Sequence, residues 1–206
     1  MKGVTGALIL ANLFVFALQV LYGDALLVPF ALWPVGDQLA PEFGATVGFR
    51  AWQLATYAFL HGGGMHLFLN MFALWMFGRD CEAVLGPRRF LALYAAAVLS
   101  AALVQLAVAS ASGAPYPTVG ASGGVFGVLL AFGMLFPRRR VLLLIPPIPM
   151  PAWLFVTLYG AIELASGVFG TAAGIAHFAH LGGMAGAFIV LRAWRAGSAA
   201  GSGPGG

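Results

Sequence analysis

Ser122 stands in Gly120-Ala121-Ser122-Gly123, at the start of one apolar stretch, and His180 stands in Ala179-His180-Leu181-Gly182-Gly183, inside another far downstream. A hydroxyl and an imidazole within hydrogen-bond reach make a nucleophile and its general base, the chemistry of acyl transfer. Both groups are costly to desolvate, so those kept inside apolar stretches usually line a cavity or react. A helix beginning at Ser122 would add backbone N–H donors and a positive dipole end, suited to a developing oxyanion. The bland alternative is packing: Gly120, Gly123, Gly124 and Gly127 permit close helix approach while the serine bonds a backbone carbonyl. With seven serines and 29 glycines in 206 residues, chance alone supplies about 0.14 Gly-x-Ser-Gly motifs. The motif therefore draws its weight from context.

A second constellation runs from His61 to Asn70, as His-Gly-Gly-Gly-Met-His-Leu-Phe-Leu-Asn. His66 and Asn70, four residues apart, share one face of a helix starting near Met65 and could aim two neutral donors at one oxygen. An interhelical hydrogen bond worth about 1 kcal/mol is the plainer account. His61, just outside that helix, suits a loop-ordering role. His177 and His180 also share a face. His180 is the better partner for Ser122, because Gly182, Gly183 and Gly186 would let its helix approach the glycine-rich segment of Ser122; His177 is read as structural.

The elements that must position these groups are membrane helices. The chain is 61% hydrophobic and 8% charged, with mean hydropathy +0.95, which excludes an ordinary soluble domain. Its single cysteine, Cys81, excludes an intrachain disulfide framework and a thiol-rich metal site. The net charge of +4 reflects basic residues at a membrane surface; nucleic acid is not expected as a partner, since only Arg138-Arg139-Arg140 forms a run. About 20 apolar residues cross a bilayer. Six segments are predicted to span: Val4 to Tyr22, Met65 to Leu85, Phe90 to Ser110, a short fourth at Ser122 to Phe136, Ala152 to Phe169, and Ala176 to Trp194. The fold class is thus all-α, a polytopic six-helix bundle with residues 1–195 as one membrane domain and 196–206 as a disordered tail or a vector-derived remnant. The first segment lacks a small-residue cleavage site and is expected to be retained. The Gly113 to Gly120 loop must dip into a protein-lined cavity if Ser122 opens its helix below the surface. Lys2, Arg79, Arg88, Arg89, Arg138 to Arg140, Arg192 and Arg195 fall on one side of this layout and only Arg50 on the other, which predicts cytoplasmic termini. Nine arginines against one lysine, with abundant Ala and Gly, hint at a GC-rich bacterium and its inner membrane.

The His61/His66/Asn70 block, Gly-Ala-Ser-Gly at the fourth span and Ala-His-Leu-Gly-Gly in the sixth resemble, in order and placement, the rhomboid family of intramembrane serine proteases. The resemblance covers roughly Trp52 to Gly186 and includes Glu82 and Gly86. It implies Ser122 as nucleophile, His180 as general base, and His66, Asn70 and the Ser122 N–H as oxyanion hole, with no cofactor and no metal. Gly120 and His61 would support the site, and Phe126 would stack on His180 and orient it in a dyad without an acid. Transmembrane segments in the bilayer would be the substrates. Helix-weakening Gly or Pro would favour cleavage, and Ala before the cut follows from the resemblance. Access between spans two and five would pass Trp153, Phe155 and Leu158, with Phe169 as a cap. Trp52-Gln53 replaces the Trp-Arg of many members, which puts the rigidity of the first loop in question.

Two rivals differ in class. A metal-dependent hydrolase could draw on His61, His66, His177, His180 and Glu163, but no His-Glu-x-x-His pattern exists. A non-proteolytic rhomboid-like protein could bind membrane helices without cutting them, although such a protein would be expected to have lost the serine or the histidine.

Overall fold

The computed structural model describes residues 3–112, 116–142, 148–170 and 176–200. Lys2, the part of the predicted Gly113 to Gly120 loop at 113–115, and residues 201–206 of the predicted tail lie outside them. The chain is predominantly helical. Helices α1 (Val4–Tyr22), α2 (Asp24–Phe30), α3 (Gln53–Thr56), α4 (Gly64–Ala73), α5 (Arg79–Leu85), α6 (Pro87–Ser112), α7 (Ser122–Leu135), α8 (Ala152–Phe169) and α9 (His177–Ala200) are accompanied by short turns and two small antiparallel hairpins. The hairpins are β1 (Gln38–Ala40) with β2 (Ala45–Val47), and β3 (Arg140–Leu142) with β4 (Pro149–Pro151).

Helix occupies all six apolar stretches. Among the described residues, three helices are long and apolar enough to cross a membrane: Val4–Tyr22, Pro87–Ala111 and Ala152–Phe169. The others depart from that standard for visible reasons. Between α4 and α5 the chain makes one π-helical turn, Leu74–Gly78, and α5 then carries Arg79, Asp80 and Glu82. Helix α9 carries two histidines and two arginines, and it continues to Ala200, past the predicted start of the tail at 196. With 14 residues, α7 rises about 21 Å, short of the roughly 30 Å hydrocarbon core. It lies at the centre of the bundle, buried on most sides and packed against α4, the π turn, α6, α8 and α9.

Glu82 ties α1 to α5. Its carboxylate accepts from the Val4 N–H at 2.6 Å, the Thr5 N–H at 2.9 Å and the Thr5 hydroxyl at 2.7 Å, so orphan donors at the start of α1 are satisfied by a different helix. At the same end Arg139 pairs with Asp80 at 2.9 Å, Arg89 lies over Trp194, and Arg195 donates to the Met134 carbonyl. Arg89, Arg139 and Arg195 thus gather at one end of the bundle, while Arg50 pairs with Asp37 elsewhere at 3.1 Å.

The long first loop folds on a core of its own, formed by Ala31, Trp33, Ala40, Val47 and Leu60. Gln53 organises it. Its buried side-chain oxygen accepts from the Trp33 N–H at 3.3 Å and the Arg50 N–H at 3.1 Å, and its nitrogen donates to the carbonyls of Pro29 and Gly48. Trp52 and Thr56 add bonds to the carbonyls of Pro29 and Phe30. A neutral amide therefore joins the parts of a loop whose order was in question without arginine.

Candidate active site

The first loop holds the strand that leads into Ser122. Leu32 and Thr118 exchange backbone hydrogen bonds at 3.0 and 2.9 Å, and the Gly120 N–H donates to the Tyr57 carbonyl at 3.0 Å. Tyr57 is fixed in turn by its hydroxyl, which donates to the Val98 carbonyl of α6. Gly120 itself has φ +129°, and a methyl group there would stand 2.7 Å from the His66 ring. Only glycine allows both the turn and the ring beside it. The chain then enters α7 at Ser122, whose N–H has, by position, no acceptor within its own helix.

Across from it, His180 Nε2 lies 2.9 Å from the Ser122 hydroxyl oxygen. The Phe126 ring stacks on the imidazole, 4.2 Å between centroids and 7° from parallel. Close contact between α7 and α9 makes this possible, and it rests on Gly183: any Cβ there would collide with the Gly123 carbonyl. The three glycines predicted to face this helix divide their work. Gly182 and Gly186 pack on α6, against Val104, Ser100 and Ala96, and only Gly183 meets α7. Residues four apart share a helical face, whereas a neighbour is turned about 100° away.

His66 and Asn70 line the same cavity as Ser122 and His180, a space of about 630 Å³. The Gly62 N–H donates to His66 Nδ1 at 3.2 Å, which leaves the proton on Nε2, the edge of the ring that lies against Gly120. The Asn70 amide gives one N–H to the His66 carbonyl at 2.9 Å and has a second to offer. Two donors therefore line the same cavity as the hydroxyl. His61 stays outside the cavity. Its backbone exchanges hydrogen bonds with the Gln19 side chain of α1 at 2.8 and 2.9 Å, and its ring makes an edge contact with His66. Burial, with a smaller push from His66, lowers His61 from its ordinary value of 6.5 to about 4, so it is neutral near pH 7 and orders the loop as an uncharged ring.

The cavity runs between α4 and the π turn on one side and α8 on the other, past Phe72, Met76, Phe155 and Tyr159. Of the predicted gate residues only Phe155 lines it, packed on Phe77 and Tyr159. Trp153 and Leu158 are exposed on the outer face of α8. Phe169, the predicted cap, is 78% exposed at the end of α8 and takes no part in the cavity.

Sequence reasoning grouped Glu163 with the histidines only in the metal reading and did not assign it to the serine-histidine site. Its Oε2 lies 2.8 Å from His180 Nδ1 and 2.7 Å from His177 Nδ1. The expectation of a histidine oriented by ring packing alone is thus corrected: a carboxylate stands behind it. One signal was available, because Gly160 and Gly167 flank Glu163 on the same face of α8 and receive Met184 and Phe178 of α9. Among the described residues, Glu163, His177 and His180 are the one group of three whose ligand atoms lie within 4.8 Å of one another. His61 and His66 are not part of it, so the four histidines do not form a single donor set.

A serine paired with histidine at a buried helix start, beside two neutral donors, is the arrangement the three sequence blocks share. The family model described as the rhomboid domain matches residues 48–195. The chain belongs to the rhomboid family. It is an integral membrane protein. Rhomboid protein 1, mitochondrial, of Saccharomyces cerevisiae is 36% identical over 135 residues, which is 61% of this chain and 37% of the relative. Presenilin-associated rhomboid-like protein A, mitochondrial, of Danio rerio is 31% identical over 135 residues, 65% of this chain and 35% of the relative. Rhomboid protease GluP of Bacillus subtilis is 40% identical over 78 residues, 38% of this chain and 14% of the relative. The matched part is at most a little over a third of these relatives' own length.

Proposed function

We propose that this rhomboid is an intramembrane serine endopeptidase that cleaves transmembrane segments of other membrane proteins. The observation that carries this is the 2.9 Å contact between His180 Nε2 and the Ser122 hydroxyl, inside a cavity that His66 and Asn70 share. His180 accepts the Ser122 proton as the hydroxyl attacks a peptide carbonyl, then returns it to the leaving amine. The oxyanion is held by the Ser122 N–H, His66 Nε2–H and the free amide hydrogen of Asn70. Water then hydrolyses the acyl-enzyme on the same histidine. No metal or cofactor takes part. A substrate helix reaches Ser122 sideways, between α4 and α8, and must unwind locally because helical hydrogen bonds shield its peptide bonds. Gly or Pro near the cut, and Ala before it, favour cleavage.

In the same proposal six helices span: α1, the α4–α5 helix, α6, α7, α8 and α9. Residues 1–195 form the membrane domain and 196–206 a tail beyond it. The gathering of Arg89, Arg139 and Arg195 at one end supports cytoplasmic termini, and a bacterial inner membrane is proposed from the composition alone.

The test uses protein in liposomes with a labelled transmembrane segment carrying Ala at the cut and Gly nearby. Wild type is expected to cleave within the segment, Ser122→Ala to leave it intact, and a chelator to change nothing. Undiminished cleavage by Ser122→Ala would sink the mechanism, and loss of cleavage with chelator would shift it to the Glu163, His177 and His180 donor set. Retention of several segments without cleavage by any form would favour a helix-binding protein.

A further inference from the structure

We infer that Glu163 is an acidic third member of this site, a positioning residue that sets the tautomer of His180 and stabilises its charged form, with His177 as the clamp that holds the carboxylate. The inference rests on the protease proposal above and adds a group that proposal does not use.

The geometry is specific about protons. Both His177 Nδ1 and His180 Nδ1 approach one oxygen, Glu163 Oε2, at 2.7 and 2.8 Å. A single carboxyl proton on that oxygen could serve only one contact, so at least one imidazole must be the donor. An ionised carboxylate, which only accepts, satisfies both at once. His180 then carries its proton on Nδ1 and presents a lone pair at Nε2, toward the Ser122 hydroxyl 2.9 Å away. That is the tautomer a general base requires. When the serine proton moves to Nε2, the new positive charge on the ring lies beside a buried anion, where attraction is far stronger than in water.

Three further observations fit this role. Glu163, His177 and His180 are each at most 9% exposed, and a carboxylate so buried is costly unless paired and hydrogen-bonded. Two N–H donors supply that pairing, and the second, from His177, keeps the carboxylate from drifting or taking the proton itself. Glu163 and His177 do not line the substrate cavity, whereas His180 does, so the acid acts through the histidine and not on the substrate. Finally, α8 is shaped for the contact: a Cβ at Gly160 would press on Met184, and one at Gly167 would press on Phe178 and His177. The residues three before and four after Glu163 are therefore the small ones that let α8 close on α9.

The groups facing His180 are Glu163 from α8, His177 from its own helix, Ser122 and Phe126 from α7, and His66 from α4, with Tyr159 of α8 behind Phe126. Glu163 is the one anion among them. The amide of Glu163→Gln can donate to Nδ1 and hold the wrong tautomer, which costs serine-histidine-acid sites on the order of 10⁴-fold in kcat.

The experiment measures kcat and KM for cleavage of the labelled transmembrane segment by wild type, Ser122→Ala, Glu163→Gln and Glu163→Asp. Unfolding temperatures in detergent are recorded alongside. Glu163→Gln is expected to lose at least about 10²-fold in kcat with KM little changed, while Glu163→Asp recovers most of the rate. Independently of any substitution at Glu163, ¹⁵N-histidine NMR of the wild type is expected to show His180 protonated at Nδ1. A folded Glu163→Gln with wild-type kcat, or a His180 protonated only at Nε2, would overturn the inference and leave the protease proposal standing. Equal activity in wild type and Ser122→Ala would instead remove the protease proposal, and this inference with it.

Discussion

Replacing Ser122 by alanine is expected to lower the cleavage rate by about 10⁶-fold, and adding His180→Ala to that variant is expected to cost almost nothing more. Groups that act as one unit are grossly non-additive, because the base has no task once the nucleophile is gone. The 2.9 Å bond between them makes them such a unit. His180→Ala alone should approach the same loss, since an unassisted hydroxyl is a weak nucleophile near neutral pH. What survives in each variant is binding and the oxyanion donors. The check is a double-mutant cycle on single-turnover rates in liposomes, with substrate retention measured separately. Losses that multiply would mean that the two residues serve different steps.

The second large effect concerns a residue with no chemistry. Gly183→Ala is expected to lower kcat by about 10²-fold, because a methyl placed against the Gly123 carbonyl must push α9 away from α7. A displacement near 1 Å at a reacting pair costs about that much. Overpacking of this kind also destabilises by about 1 to 3 kcal/mol, so the unfolding temperature in detergent should fall. Gly197→Ala, farther along α9 where a Cβ would meet open space, provides the control and should match wild type in both measurements. Gly183→Ala with an unchanged rate would mean that the close approach of the two helices does not set the serine-histidine distance.

Sequence discloses some of these groups and hides others. The apolar runs mark helix over all six stretches because run length alone limits what can be buried. Ser122, His180, His66 and Asn70 stand out because polar side chains are rare among so many apolar ones, and the structure brings all four to one cavity. Their partners are harder to see. Whether Gly182 or Gly183 faces α7 depends on rotation of α9 about its axis, and a helix with small residues on two faces leaves that rotation open. Glu163 belongs to α8, and its meeting with His177 and His180 depends on how two helices slide past each other. Gly160 and Gly167 encode that register, but only once the facing helix is known. The first loop is the extreme case. Its β1–β2 hairpin, its separate core and the role of Gln53 come from contacts among short segments, where periodicity is too brief to read. Trp153 and Leu158, exposed on α8 and outside the cavity lining, show the converse difficulty, since apolar side chains on a membrane helix face lipid as readily as a cavity.

The reaction of Ser122 itself is the most direct test of a serine-histidine mechanism. Purified protein in detergent is treated with a fluorophosphonate, which bonds covalently to an activated serine hydroxyl, and its intact mass and peptide map are measured. One adduct per chain is expected, on Ser122, formed far more slowly in His180→Ala. A protein that cleaves its substrate yet gains no adduct on Ser122, or one that is labelled there equally fast without His180, would contradict the mechanism.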